Sequence, residues 1–174
     1  MTTKNQLNSP PCPSPAQADK IGDMAYEALK TNMPLYLVRG MTKEQMDVLY
    51  AQGYYFYSQA KYKEALPLFK ALTFYHYLDQ RGWLGAAGCY EMLKQYEQAL
   101  TCYSFATILK HDDPIPPLHA FDCYIALKNY PKALSCLEAV ILFSSKKPEH
   151  AALKKRAEFL RDALQKAITE NKKS

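Results

Sequence analysis

Apolar, aromatic and small residues recur along this chain at a fixed step of 34 residues. The aromatic residues Phe56, Tyr90 and Tyr124 keep this step. Four further sets keep it as well: Tyr62, Tyr96 and Tyr130; Ala65, Ala99 and Ala133; Leu66, Leu100 and Leu134; Phe69, Tyr103 and Leu137. A period of 34 with aromatic and small residues at fixed places is typical of the tetratricopeptide helix-turn-helix repeat. The pattern predicts an all-α protein, an α-solenoid of three tandem repeats whose concave surface holds peptide.

We place the three repeats within 42–147, at 46–79, 80–113 and 114–147. Each consists of a helix A, a turn and a helix B. A capping box formed by Thr42 and Gln45 predicts that the first helix A begins at about residue 43. Pro67 is expected within the first turn of its helix B, where the missing N–H costs no helical hydrogen bond. The third repeat is irregular, with Phe121 where the other repeats carry glycine or alanine.

The segments that flank the repeats differ in character. Residues 1–16 contain four prolines among polar residues and are expected to form a disordered tail. Residues 17–41 are expected to form an N-terminal helix, near 17–31, followed by an apolar connector. Residues 148–174 predict a C-terminal capping helix with five apolar residues on one face: Leu153, Ala157, Leu160, Leu164 and Ile168.

The composition is ordinary for a soluble domain, with 48% hydrophobic and 22% charged residues among 174. Much of the net charge of +5 lies in the last part of the chain. We interpret it as the solvated face of a terminal helix, since no nucleic-acid motif accompanies it. Neither a signal peptide nor the roughly 18 consecutive apolar residues of a membrane span are found. We therefore expect a cytoplasmic protein with no nucleic-acid partner and no membrane insertion.

The cysteines and histidines are not spaced as metal ligands. Cys89 and Cys123, like Cys102 and Cys136, lie one repeat apart. Equivalent places in stacked repeats predict free thiols packed in small buried niches. With no metal site, no catalytic set of residues and no nucleotide motif, we expect neither an enzyme nor a cofactor.

The first helix A carries a stripe of tyrosines. Tyr50, Tyr54 and Tyr57 lie at i, i+4 and i+7, away from the face that packs on helix B. Such a stripe fits a surface that binds a client protein, or a contact with the N-terminal helix or a dimer partner; we favour the client surface. In the second helix A, Gly85 and Gly88 map to the same side, where missing side chains would leave a channel for another backbone.

This surface does not carry the cationic residues with which some three-repeat proteins clamp the C-terminal carboxylate of heat-shock chaperones. The corresponding positions are Tyr50, Tyr54, Gly85, Ile115 and His119. The predicted groove is apolar and aromatic. It should bind a hydrophobic, proline-containing peptide in extended form.

Three stretches carry a family resemblance: MTKEQMDVLY at 41–50 leading into GYYFY at 53–57, YKEALPLF at 62–69, and GAAGCY at 85–90. In these stretches, and from about residue 20 to 168 overall, the chain resembles the class II chaperones of bacterial type III secretion. The resemblance implies an ATP-independent chaperone that keeps hydrophobic translocator proteins soluble and competent for secretion. It would hold a P-x-L-x-x-P-like segment near the translocator's N-terminus in the concave groove.

The resemblance also implies further site residues and partners. Position by position, it adds to the client-binding groove Leu84, Gly88 and Met92 and, from the third repeat, Leu118, Asp122 and Ile125. It implies a homodimer formed through the N-terminal helix, whose apolar face holds Ile21, Met24, Ala25, Ala28 and Leu29. A secretion-system or transcriptional regulator is a further partner of some members. The alternative is a general tetratricopeptide-repeat scaffold or regulatory protein-interaction module.

Overall fold

In the computed structural model, which describes Lys30 and residues 33–171, all regular secondary structure is helical. Within these residues the helices are α1 (Leu35–Val38), α2 (Lys43–Ser58), α3 (Tyr62–Tyr75), α4 (Gln80–Met92), α5 (Tyr96–Leu109), α6 (Ile115–Ala126), α7 (Tyr130–Ser144) and α8 (Ala151–Asn171). A 3-10 turn at Pro148–His150 precedes α8. From α2 onward, each helix packs chiefly against the helices before and after it. The pairs α2–α3, α4–α5 and α6–α7, followed by α8, confirm the predicted all-α solenoid with a C-terminal helix.

The three turns between helix A and helix B have the same backbone geometry. Each contains one residue in the left-handed region, with φ of 56° at Ala60, 59° at Lys94 and 56° at Lys128. The residue after it donates its N–H to a carbonyl oxygen five positions earlier, at 2.8 to 2.9 Å. These pairs are Lys61 with Phe56, Gln95 with Tyr90, and Asn129 with Tyr124. The turns are Schellman motifs, and the periodic aromatic residues supply the carbonyl groups that close them.

Small residues at the contact between helix A and helix B allow the two backbones to approach closely. Ala65, Ala99 and Ala133 are each 0% exposed.

The thiols of the repeats are free, and burial raises the pKa of Cys89 and Cys123 to about 12. Such thiols stay protonated and act as small apolar groups. The prediction of packed free thiols is confirmed for the cysteines that the structure describes.

The irregular third repeat packs against the C-terminal helix. Phe121 is 9% exposed and shares a core with residues of α7 and with Ala157 of α8. Three leucines of α8 pack on the same core: Leu153, Leu160 and Leu164. The α8 helix thereby covers apolar surface that a further repeat would otherwise bury.

The N-terminal end of the described region is anchored by α1 and by the cap of α2. The capping box is present, with Gln45 N–H donating to Thr42 Oγ1 at 3.3 Å and Thr42 N–H donating to Gln45 Oε1 at 2.9 Å. The segment predicted as a connector contains α1, whose Tyr36 packs with Met46 and Leu72.

Several predictions made for the N-terminus fall outside the described residues. They are the disordered tail at 1–16 and, apart from Lys30, the helix near 17–31. The same is true of the predicted dimer contacts: Ile21, Met24, Ala25, Ala28 and Leu29.

The expectation for Pro67 is wrong. Helix α3 begins at Tyr62, so Pro67 is its sixth residue and lies inside the helix. A proline there removes the hydrogen bond to the carbonyl of Lys63. Both residues are exposed, which lets water reach this side of the helix.

We predict that replacing Lys94 by glycine stabilises the protein. The left-handed conformation costs a residue with a Cβ atom roughly 1–2 kcal/mol, whereas glycine adopts it freely. Since glycine also loses more entropy on folding, the net gain should be about 1 kcal/mol in the free energy of unfolding, measured with urea. The matched control is Gln98→Gly, an exposed position inside α5, which should lose about 1 kcal/mol. Equal losses in both variants would contradict the left-handed conformation at residue 94.

Candidate functional site

A cavity of about 320 Å³ opens on the helix A side of the repeats. Its walls come from α2, α4 and α6, and α3 and α5 contribute one side chain each. Seven residues predicted for the client site line it: Tyr50, Tyr54, Tyr57, Leu84, Gly85, Gly88 and Met92. Six other residues line it as well: Phe69, Arg81, Glu91, Tyr103, Ile115 and His119.

The tyrosine stripe forms an aromatic wall. The rings of Tyr50 and Tyr54 stack with centroids 6.2 Å apart, and Tyr50 also packs on Phe69 at 6.0 Å. Tyr54 is 57% exposed, whereas Tyr57 is half-buried and its burial raises the pKa of its hydroxyl. Tyr54 therefore offers an open ring to a ligand, while Tyr50 and Tyr57 shape the wall.

The two glycines of α4 face aromatic rings of the protein itself. A Cβ atom at Gly85 would lie 2.4 Å from the ring of Phe69, and one at Gly88 would lie 3.0 Å from the hydroxyl of Tyr57. The expectation that these glycines leave a channel for a client backbone is therefore corrected. Both still line the cavity, but their missing side chains make room for Phe69 and Tyr57.

Arg81 lies in the wall of the cavity, a charge that the tyrosine stripe did not predict. Its Nη2 atom is 2.7 Å from Asp47 Oδ1 and 2.7 Å from Asp79 Oδ2, and its guanidinium lies 4.9 Å from the ring centroid of Tyr50. Burial by itself would raise the pKa of Asp79, but hydrogen bonds from Arg81 outweigh it and hold the pKa below its usual range. Asp47 and Arg81 are one repeat apart, and opposite charges at the 34-residue step are the signal that could have found the pair.

A second charged group of the cavity is Glu91. The hydroxyl of Tyr103 donates to Glu91 Oε2 at 2.5 Å, and His119 Nδ1 lies 3.6 Å from the same oxygen. The rings of Tyr103 and His119 are nearly parallel, with centroids 5.5 Å apart. Burial and the hydrogen bond to Glu91 raise the pKa of Tyr103, so its hydroxyl remains a donor.

Asp122, a predicted site residue, lies beside Glu91 and His119, with one ligand-type atom of each of the three residues within 4.8 Å of the others. Burial and the nearby charge of Glu91 raise the pKa of Asp122. Two carboxylates and an imidazole can coordinate a divalent cation. Because one Glu91 oxygen is already engaged by Tyr103, we treat the group as a centre of negative charge rather than a metal site.

The structure brings none of the three predicted residues of the third repeat into the lining of this cavity. Asp122 is exposed beside Glu91. Leu118 and Ile125 pack on the core shared by α6, α7 and α8. They hold the same repeat positions as Leu84 and Glu91. Their surroundings differ because α8 covers the third repeat.

A larger cavity, of about 510 Å³, lies between α5, α6 and α7. It is lined mainly by helix B residues, among them Leu100, Ile108 and Lys132. It contains no residue predicted for the client site, so the cavity on the helix A side is the candidate site.

The repeated helix pairs and their cavity define a tetratricopeptide-repeat solenoid. Comparison with known proteins identifies its family within that class. No family model matches the chain. Among solved structures, PcrH from Pseudomonas aeruginosa, in complex with the chaperone binding region of PopD, is 30% identical. The match covers 74% of this chain and 97% of that chain, with a TM-score of 0.71.

Two further relatives are chaperones by name. The type III secretion chaperone SycD of Yersinia enterocolitica, solved with a peptide of the translocator YopD, is 26% identical with a TM-score of 0.69. That match covers 73% of this chain and 97% of SycD. The chaperone protein SicA of Salmonella typhimurium is 30% identical over 77 residues, which are 44% of this chain and about half (47%) of SicA.

At 30% identity over nearly the whole of PcrH, the chain belongs to the type III secretion translocator chaperones, the family that includes SycD. The resemblance inferred from the sequence is confirmed. The relatives are chaperones rather than enzymes. In the part of the chain that the structure describes, no helix is long and apolar enough to cross a membrane.

We predict that Gly85→Ala destabilises the protein although alanine is the better helix former. The new Cβ atom would collide with the buried ring of Phe69, and overpacking of this kind costs about 1–3 kcal/mol. In urea denaturation, the double variant with Phe69→Leu should lose less stability than the sum of the two single variants. Gly88→Ala is the control, because the half-buried Tyr57 can shift, and it should lose under about 1 kcal/mol. A stable Gly85→Ala variant would contradict the packing of Phe69 against α4.

Proposed function

We propose that this protein is a cytoplasmic, ATP-independent chaperone that binds a hydrophobic translocator of type III secretion in the cavity between α2, α4 and α6. The client contributes an extended segment near its N-terminus, of P-x-L-x-x-P-like sequence. Binding keeps the translocator soluble and competent for secretion, because its apolar segment is covered before export.

The observation that carries this proposal is the cavity itself. Helix A of every repeat contributes to one apolar and aromatic surface that is open to solvent, with Tyr54 57% exposed and Met92 50% exposed. Exposed apolar surface of this kind gains free energy when a partner covers it. An extended peptide suits a cavity of this lining, since its alternate side chains can enter apolar pockets.

The relatives support the nature of the client. PcrH has been solved with the chaperone binding regions of PopD and PopB, and SycD with a peptide of the translocator YopD. For this chain we propose a client of the same class. We also propose that the N-terminal helix mediates homodimerisation, in keeping with the dimer described for SycD.

In this proposal, Tyr54 is the open anchor of the client site. Tyr54→Ala should lower the amount of a coexpressed translocator that copurifies with the chaperone by about tenfold, the effect of removing one aromatic hot spot. The measurement is affinity purification from cells that coexpress the two proteins, with circular dichroism to check that helicity is retained.

The matched control is Tyr55→Ala. Tyr55 is the next residue of the same helix and is 60% exposed, but it does not line the cavity. This variant should copurify as much translocator as the wild type. If the Tyr54→Ala variant retained both its helicity and full copurification, the assignment of the client to this cavity would be wrong.

A further inference from the structure

The positive and the negative charge in the cavity differ in whether neighbouring groups neutralise them. Arg81 is paired with two carboxylates, those of Asp47 and Asp79. Glu91 lies ten residues further along α4, about 15 Å along the helix axis. Among the described residues, no lysine or arginine comes within 4.0 Å of Glu91 or Asp122. The cavity therefore contains a paired positive charge, Arg81, and a carboxylate, Glu91, that no lysine or arginine of the described residues neutralises. The exposed Asp122 lies beside Glu91, outside the lining of the cavity.

The Glu91 carboxylate is held in place and remains accessible. Tyr103, only 3% exposed, fixes Oε2 by donating its hydroxyl hydrogen. The side chain of Glu91 is 23% exposed, and no described residue donates a hydrogen bond to Oε1. A carboxylate oxygen that is fixed, partly desolvated and unpaired is a strong acceptor for a charged donor.

The groups that face this centre leave it negative. From α6, His119 lies near Glu91 and counts as a cation only when protonated. From α8, Arg156 attracts Asp122 without forming an ion pair with it. Asp122 and Glu91 repel one another, and a cation placed between them would relieve that repulsion.

The apolar lining next to the carboxylates suits a long cationic side chain. Met92, Ile115 and Leu84 line the same cavity as Glu91. Lysine and arginine side chains lay their methylene groups along apolar surface while the charged end reaches a polar group.

We propose that the cavity selects an extended client segment that carries a lysine or arginine, whose charge lies against Glu91 and Asp122 while a neighbouring apolar side chain occupies the aromatic part. This inference rests on the proposed function and adds a charge requirement to it. The aromatic wall supplies affinity for apolar residues in general, and the carboxylates discriminate between client segments.

Acetylated and amidated fluorescent peptides with the frame S-P-S-L-S-S-P-S test the proposal, with lysine or glutamate placed at each serine in turn. Fluorescence anisotropy with the full chain measures each dissociation constant. At one position at least, the lysine peptide should bind about tenfold more tightly than the glutamate peptide, as for one charge-assisted hydrogen bond. The preference should weaken as salt is raised.

The double variant Glu91→Gln with Asp122→Asn should bring this ratio close to one. Glutamine at 91 keeps an acceptor for the Tyr103 hydroxyl. The matched control removes two carboxylates elsewhere, by Glu138→Gln with Asp162→Asn, and should retain the full preference.

The outcomes separate this inference from the function on which it rests. If lysine and glutamate peptides bound the wild type equally at every position while Tyr54→Ala weakened all of them, the client cavity would stand and the charge selection would be refuted. A preference for lysine that survived in the Glu91→Gln, Asp122→Asn variant would also refute it. If no peptide bound the wild type, both proposals would fail.

Discussion

The ring of Phe69 is the contact on which the arrangement of the first two repeats depends. It is the largest fully buried side chain among the described residues. It packs between two helices that each carry a glycine at the contact. A Cβ atom would lie 3.1 Å from the ring at Gly53 of α2 and 2.4 Å from it at Gly85 of α4. Because both positions are glycine, one ring joins α2, α3 and α4 and also underlies Tyr50 in the cavity. Packing of the repeats and shape of the site are thus set by the same contact.

The cavity follows from a regular scaffold with irregular side chains. The Schellman turns hold each helix pair in the same geometry. Residues seven apart on one helix A therefore face the same surface as residues one repeat apart on successive helices A. On that surface the chemistry changes from repeat to repeat, as at Tyr57 and Glu91, which occupy equivalent positions. A preformed apolar site lowers the ordering cost on its own side of a complex, and polar groups within such a site can discriminate between ligands.

The candidate site was predicted in part. Tyr50, Tyr54 and Tyr57 could be found because helical spacing places them on one face, and Leu84 and Met92 could be found by resemblance. Phe69 and Tyr103 belong to the periodic set that builds the repeats, yet both also line the cavity. Periodicity could not reveal this second role. Phe69, for example, reaches the cavity because Gly53 and Gly85 leave room for its ring. Leu118 and Ile125 have the right repeat position, but α8 packs over that part of the third repeat.

The sequence by itself determined the all-α class, the three helix pairs, the capping box at Thr42 and the family, because these depend on local spacing and on residue types that recur. Only the tertiary structure decided which side chains share the cavity and how its charges are paired. Arg81 is satisfied by Asp47 and Asp79, whereas Glu91 is fixed by Tyr103 and left beside Asp122. The reason is geometric: an ion pair or a hydrogen bond depends on distances of about 3 Å between atoms of different helices. Such distances are set by how the helices pack. The 34-residue step can suggest that Asp47 and Arg81 are neighbours, but it does not specify the 2.7 Å contact between them.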